Sequence, residues 1–260
     1  MELIPGWLTH LFSALMGLVV GSFLNVVIMR LPQKKSLSYP GSHCPKCGKS
    51  LRWFHNIPVL SFLTLRGRCS QCKTPISLRY PIVEVLTGLL FLATEIKWGF
   101  VYTLFIHDWP FVALLVAITF IDLEHRLIPD KLSLSGLIIG LLTAGVQPGY
   151  LQAIEGAAFG FCFFYALAWI YQRFAGRSGL GGGDIKLLAM LGAFLGPSGV
   201  FATILISSIL GSVIGISWGL IEKKRNPQSL MAFAIPYGPF LILGGLYYYL
   251  LSDIFWLPLS

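Results

Sequence analysis

Charge is scarce in this chain. Of its 260 residues, 19 are Lys or Arg and 11 are Asp or Glu, together 12%, against roughly a quarter in ordinary soluble domains. With 55% hydrophobic residues and a mean hydropathy of +0.75, that deficit excludes a soluble globular enzyme. Other absences narrow the reading further. No internal repeat is evident, which removes support from a transporter built of two matching halves. No basic stripe with interleaved aromatics occurs, so the net charge of +8 does not point to nucleic acid. No GxGxxG turn opens a helix, so there is no recognisable dinucleotide fold. No Lys or Arg precedes Arg30, so the first apolar stretch lacks the basic region of a cleavable signal and is expected to remain as a span.

What is present is a series of long uncharged runs: Leu3 to Met29, Leu132 to Ile154, Gly156 to Gln172, Leu187 to Ile221 and Asn226 to Ser252. Roughly 20 apolar residues cross a bilayer, so the chain reads as an all-α polytopic membrane protein. The run from Leu187 is too long for one crossing and contains Gly196-Pro197, which predicts a break there. About eight transmembrane helices follow, over 7–28, 81–98, 106–122, 132–147, 152–172, 184–196, 199–221 and 235–251. With both termini periplasmic, the cytoplasmic segments 29–80, 123–131, 173–186 and 222–234 hold every Lys and Arg except Lys97, as the positive-inside rule requires. The positive charge is then a topology signal and a contact for anionic membrane lipid. Three parts result: residues 1–28 as the first helix, 29–80 as a cytoplasmic insert, and 81–260 as a membrane core.

The insert is basic throughout and carries Cys44-Pro-Lys-Cys47 and Cys69-Ser-Gln-Cys72, two CxxC pairs 21 residues apart. Each pair can offer two thiolates to one tetrahedral ion, so Cys44, Cys47, Cys69 and Cys72 read as a structural Zn2+ site in a zinc-ribbon-like fold. Disulfides and redox chemistry fit less well on the reducing side of a membrane. Arg66, Arg68 and Lys73 would offset the charge of a four-thiolate centre. Four thiolates leave no open position for an activated water, so the ion is expected to stabilise rather than catalyse. Cys162, in an apolar span, is expected to be buried in packing.

An ionisable group at a membrane helix is a functional candidate by default, and two aspartates stand out. Asp122 closes an apolar run and opens Asp122-Leu-Glu-His-Arg-Leu-Ile-Pro-Asp130. Asp184 follows Gly181-Gly182-Gly183 at the start of the sixth span. Both fall at cytoplasmic helix ends at the same depth, so they can meet across a helix interface. Two adjacent carboxylates share a proton, and one can then activate water while the other protonates a carbonyl oxygen. The helix dipole predicts Asp184, at a helix start, as the base and Asp122, at a helix end, as the proton carrier. The three glycines would let a substrate backbone approach. Each aspartate could instead be a helix cap or a solvated interface residue. Asp130 is expected to cap the next helix, Glu124 is a candidate partner to the pair, and Glu84 and Glu155 read as packing or pairing residues.

These residues resemble a known family. Gly21-Ser-Phe-Leu-Asn-Val-Val-Ile-Met-Arg-Leu-Pro32, the two CxxC pairs with Asn56-Ile-Pro58 and Gly67-Arg68, Arg79-Tyr-Pro-Ile-Val-Glu84, the Asp122 to Asp130 segment, Gly181-Gly-Gly-Asp-Ile-Lys-Leu-Leu-Ala189 and Pro236-Tyr-Gly-Pro-Phe240 are similar to those of type IV prepilin leader peptidases, the GxGD-type intramembrane aspartic peptidases. The resemblance implies a bifunctional enzyme of the bacterial inner membrane. Such enzymes cut the basic leader from type IV prepilins or type II secretion pseudopilins after a Gly, on the cytoplasmic side. They then N-methylate the new terminus with S-adenosyl-L-methionine. It also implies Asp122 and Asp184 as the catalytic pair, and it singles out Gly21, Asn25 and Arg30 for the methyl-transfer half. Two departures, Met29 where His or Tyr is frequent and Tyr237 where Phe is common, touch neither aspartate. A rival reading is a zinc-domain membrane transporter or scaffold that uses the aspartates for ion binding.

Overall fold

The apolar runs fold as helices, because a backbone without water to bond must satisfy itself within the segment. The computed structural model describes residues 5–176, 181–225 and 236–255. Its helices are α1 Gly6–Arg30, α2 Leu60–Thr64, α3 Arg79–Trp98, α4 Trp109–His125, α5 Asp130–Thr143, α6 Tyr150–Ala175, α7 Gly182–Arg225 and α8 Gly238–Phe255. A wider helical turn, Leu104–Asp108, leads directly into α4. Among the described residues the extended pairings are two isolated bridges, His43 with Ser50 and Arg68 with Pro75. The expected spans fall on α1, α3, Leu104–His125, α5, α6, the two halves of α7, and α8. Four of these stretches are long and apolar enough to cross a membrane: Gly6–Arg30, Leu104–His125, Tyr150–Phe174 and Gly182–Gly219. Residues 1–4, 177–180, 226–235 and 256–260, which bear on the expected placement of the termini and of two basic loops, lie outside the described residues.

The chain divides into two compact units, Met1–Ile121 and Asp122–Ser260. In the first, α1 lies against α3 through small residues. A Cβ on Gly17 would stand 2.7 Å from the Gly88 Cα, and one on Gly21 would stand 2.7 Å from the Glu84 Cα. Glycines four apart on one face permit this approach, which van der Waals contact then rewards. Buried Glu95 on α3 takes hydrogen bonds from Thr9 at 2.9 Å and His10 of α1, so a buried acid is satisfied across the same seam. Phe91 stacks on Trp109 at 4.9 Å between ring centroids.

In the second unit α7 is the central element. Its 44 residues would extend about 66 Å as a straight helix, more than twice a bilayer core. Gly196 breaks it with φ +69 and ψ −178, ahead of Pro197, as the Gly-Pro pair predicts. Backbone meets backbone where Gly156 of α6 faces Gly192 of α7, and Gly160 faces Leu188. Gly140 of α5 is covered by Phe194, and Gly244 of α8 by Thr203.

Two expectations fail here. Cys162 is exposed, not buried. The glycine face of α6 at Gly156 and Gly160 turns toward α7, and two residues beyond Gly160 the helix has rotated about 200°. Asp130 makes no capping bond; Pro129 holds the cap position of α5, and the Asp130 carboxylate reaches Lys186 of α7 at 2.7 Å. Pro129 supplies the extended backbone that a cap needs, which moves Asp130 into the first turn.

Candidate active site and metal centre

Asp122 lies in the last turn of α4, which ends where Arg126 turns to φ +53 and donates its N–H to the Asp122 carbonyl at 2.8 Å. The Asp122 side chain is 5% exposed, and its Oδ2 accepts the backbone N–H of Gly238 at 3.1 Å. Gly238 is the first residue of α8, so the residue that closes α4 also receives the N-terminus of another helix. Asp184 sits in the first turn of α7, and its N–H donates to the Gly181 carbonyl at 3.1 Å. The two carboxylates interact electrostatically. Asp184 therefore lies at one helix start, while Asp122 closes α4 and its carboxylate also receives the first N–H of α8, so the dipoles of two helices act on Asp122.

The glycines divide by role. Gly181 and Gly182 are exposed, and a Cβ on Gly182 would meet nothing within 4 Å, whereas one on Gly183 would stand 2.8 Å from the Ile128 Cβ. The open position beside Asp184 is thus Gly182, whereas a Cβ on Gly181 would stand 2.8 Å from Asp184 Oδ2 and Gly183 serves packing. A Cβ on Gly238 would stand 2.6 Å from Asp122 Oδ2 and 3.2 Å from Ile128 Cδ1. Ile128, 6% exposed, consequently wedges against the starts of both α7 and α8. Sequence reasoning missed Ile128 and Gly238. The available signal for Ile128 was an apolar residue before a proline in an otherwise charged loop. Glu124 is exposed, and Glu84 accepts the Val59 N–H at 2.8 Å. Glu155 is exposed on α6.

In the first unit the thiols of Cys44, Cys47, Cys69 and Cys72 all lie within 4.8 Å of one another, and Cys44 Sγ is 3.8 Å from Cys72 Sγ. A tetrahedron with 2.3 Å zinc–sulfur bonds has edges of about 3.8 Å, so the four side chains fit a zinc ion. The two knuckles repeat one another. In each, the first cysteine's N–H bonds the carbonyl five residues on, Lys49 or Thr74, and the fourth residue on, Gly48 or Lys73, returns its N–H to that cysteine's carbonyl. That fourth residue has positive φ, +68 at Gly48 and +57 at Lys73. A hydrogen bond at 3.3 Å joins the Cys72 thiol to the Thr74 hydroxyl and brings that thiol down to about 6, which favours the thiolate that a metal needs.

The three residues singled out for methyl transfer separate in the same way. Gly21 is buried in the α1–α3 seam. Asn25, one turn on, donates through Nδ2 to the carbonyls of Gly21 at 3.3 Å and Tyr80 at 3.1 Å. Arg30 holds the following loop through the carbonyls of Ser36 at 3.1 Å and Gly41 at 3.3 Å.

Comparison with known proteins assigns the chain. Residues 15–98 match the family model described as bacterial peptidase A24 N-terminal domain, and residues 109–216 match the type IV leader peptidase family. The prepilin leader peptidase/N-methyltransferase of Myxococcus xanthus is 42% identical over 232 residues, 87% of this chain and 69% of that protein. The chain belongs to the prepilin leader peptidase/N-methyltransferase family. Its relatives in Aeromonas hydrophila and Pseudomonas aeruginosa carry the same description. They are 40% and 37% identical over 92% and 90% of this chain, and over 89% and 88% of their own lengths. No solved structure matches. The N-terminal model takes in most of α1, both knuckles and α3. The leader peptidase model runs from the start of α4 through Asp122, the three glycines and Asp184 into α7.

Proposed function

We propose that this chain removes the basic leader from type IV prepilins or type II secretion pseudopilins, cutting after a glycine, and then methylates the new N-terminal amine. Asp122 and Asp184 form the catalytic pair. The observation that carries this is a buried carboxylate interacting with a second one across 62 positions of sequence, with an open glycine at its side, inside the region that matches a peptidase family. One aspartate takes a proton from water as its oxygen adds to the scissile carbonyl carbon. The other donates a proton to the carbonyl oxygen, and the amine leaves with a proton as the C–N bond breaks. The Gly238 N–H fixes the Asp122 carboxylate, and Gly182 admits the extended substrate backbone.

The chain crosses the bacterial inner membrane eight times, both termini are periplasmic, and the pair faces the cytoplasm. Distribution of Lys and Arg supports this orientation. A basic leader obeys the same rule, which delivers its junction with the apolar pilin helix to the depth of the aspartates. Residues 29–80 form the zinc-binding insert, with Cys44, Cys47, Cys69 and Cys72 holding the ion as a structural centre. S-adenosyl-L-methionine, when bound, supplies the methyl group.

The test incubates purified protein in liposomes with a prepilin, with and without S-adenosyl-L-methionine, and weighs the products. Wild type loses the leader and gains one methyl group only when the donor is present. Asp122→Asn and Asp184→Asn each cut leader removal by about 10²–10⁴. Folded variants that cleave at the wild-type rate would instead support the transporter or scaffold reading.

A further inference from the structure

In the second unit, α8 and the part of α7 that follows the Gly196 break run antiparallel. Ser198 shares a hydrogen bond with the Tyr248 hydroxyl at 2.8 Å, a Cβ on Gly244 would stand 2.8 Å from the Thr203 carbonyl oxygen, and Ser207 shares one with the Tyr237 hydroxyl at 2.9 Å. Tyr237 immediately precedes α8, so α7 continues beyond the start of its neighbour. Ser212 lies five residues past Ser207, about 7.5 Å along that continuation. Here Ser208, Gly211, Ser212, Tyr237 and Phe240 line a cavity of about 360 Å³. Two of them, Tyr237 and Phe240, flank Gly238, whose N–H holds Asp122 Oδ2. The cavity therefore shares the first turn of α8 with the catalytic pair.

Packing does not account for the glycine in its wall. Elsewhere in this unit a glycine marks a close approach: a Cβ on Gly160 would stand 2.7 Å from the Leu188 carbonyl oxygen. At Gly211 the nearest atom to such a Cβ is Tyr237 Cε2 at 3.5 Å, an ordinary contact, and the backbone is helical. The missing side chain thus leaves room rather than relieving a clash. Tyr237 is held from two sides. Buried Ser207 bonds the Ile204 carbonyl at 3.1 Å, so the tyrosine O–H donates to Ser207 Oγ, and the ring lies 6.3 Å from that of Phe164 on α6. The lining offers two aromatic rings and the hydroxyls of Ser208 and Ser212, with no charged side chain. Ring faces attract a cation, and serine oxygens accept its hydrogen bonds. A basic side chain, with an apolar stem and a charged head, suits both.

We propose that this cavity receives the basic side chain of the leader residue next to the scissile glycine, with Tyr237 and Phe240 as its aromatic walls and Gly211 as the specificity-determining position. The proposal rests on the peptidase reading above. Its direction follows from the register: the cavity lies where α7 outruns α8, the cytoplasmic side in the proposed topology, from which the leader arrives. The scissile glycine has no side chain to place there. An extended chain advances roughly 3.3–3.6 Å per residue, so the residue before the glycine comes level with the cavity while the bond lies at the aspartates.

The experiment measures kcat/KM for leader removal by the full-length protein in liposomes, on three prepilins that carry Lys, Met or Glu immediately before the glycine. Wild type prefers Lys to Met by about tenfold, the effect of a desolvated cation on aromatic faces, and cleaves the Glu substrate most slowly. Gly211→Leu, which fills the cavity, brings the Lys-to-Met ratio within about twofold of unity. Gly211→Ala gives an intermediate ratio and keeps the test readable if the larger side chain prevents folding, which thermal melts report. Gly219→Leu, about two turns further along α7 where a Cβ would meet nothing within 4 Å, retains the wild-type ratio. A wild type that cleaves the Lys and Met substrates equally, or folded Gly211 variants that keep the wild-type ratio, would overturn the cavity assignment while leaving the peptidase standing. A wild type that cleaves none of the three overturns the peptidase reading and this proposal with it.

Discussion

Gly238→Ala isolates the geometry around Asp122 from its chemistry. The added Cβ would lie 2.6 Å from Asp122 Oδ2, and ordinary contact begins near 3.4 Å, so the carboxylate must retreat by about 0.8 Å. Ile128 Cδ1, 3.2 Å from the same point, restricts α8 from yielding instead. The Gly238 N–H remains, so no donor is lost, and every carboxyl group keeps its charge. A misplacement near 1 Å in a reacting group costs about a hundredfold. Leader removal should fall by that order in kcat/KM, against a stability loss of about 1–2 kcal/mol from overpacking. Initial rates of leader loss by mass spectrometry, with a thermal melt on the same preparation, measure both. In an Asp122→Asn background the same substitution should change the rate no further, because groups acting as a unit are not additive. A Gly238→Ala protein that cleaves within threefold of wild type would refute the assignment of Asp122 Oδ2 to the reacting geometry.

Other outcomes follow from the same contacts. One zinc per chain is expected by elemental analysis, and Cys47→Ser should lower it severalfold, because removal of one thiolate leaves three ligands. Lys73→Gly should raise resistance of the metal to chelators by about 0.5–1 kcal/mol, since φ +57 is strained for Lys; Gly48→Ala should lower it by about 1 kcal/mol. Gly192→Ala should destabilise the protein in detergent by about 3 kcal/mol, because its Cβ would strike the Gly156 carbonyl and neither backbone can yield. Unchanged melting there would mean that α6 and α7 are not held at that crossing.

Several features were legible because they depend on residues close in the chain. Uncharged runs of this length have no alternative to helices, and Gly196-Pro197 cannot continue one. The CxxC spacing is itself a chelate geometry, and the structure only closes the two halves within 4.8 Å. The aspartates could be singled out because so few acids occur at all. Even so, among the described residues four stretches rather than eight pass as candidate spans on length and apolarity, because α5 and α8 are short, α3 carries Glu84, Glu95 and Lys97, and the two halves of α7 count as one stretch.

What only the tertiary structure decided is which distant groups face each other. Nothing near Asp122 in the chain says that its partner is the N–H of Gly238, 116 residues away, or that Ile128 would press on two helix starts. Asp130 has an ion-pair partner rather than a cap, and Cys162 faces outward, for the same reason: helix rotation and docking are set by close glycine contacts between elements. Asn25 shows both levels in one residue. Its amide type and its place on a helix are local facts, but the carbonyl it bonds on α3 comes within reach only once α1 and α3 are packed together. Composition and spacing determine elements and ligand sets through short-range sterics and solvation. The reacting geometry depends on long-range contacts, whose energies are pairwise and whose partners no single segment encodes.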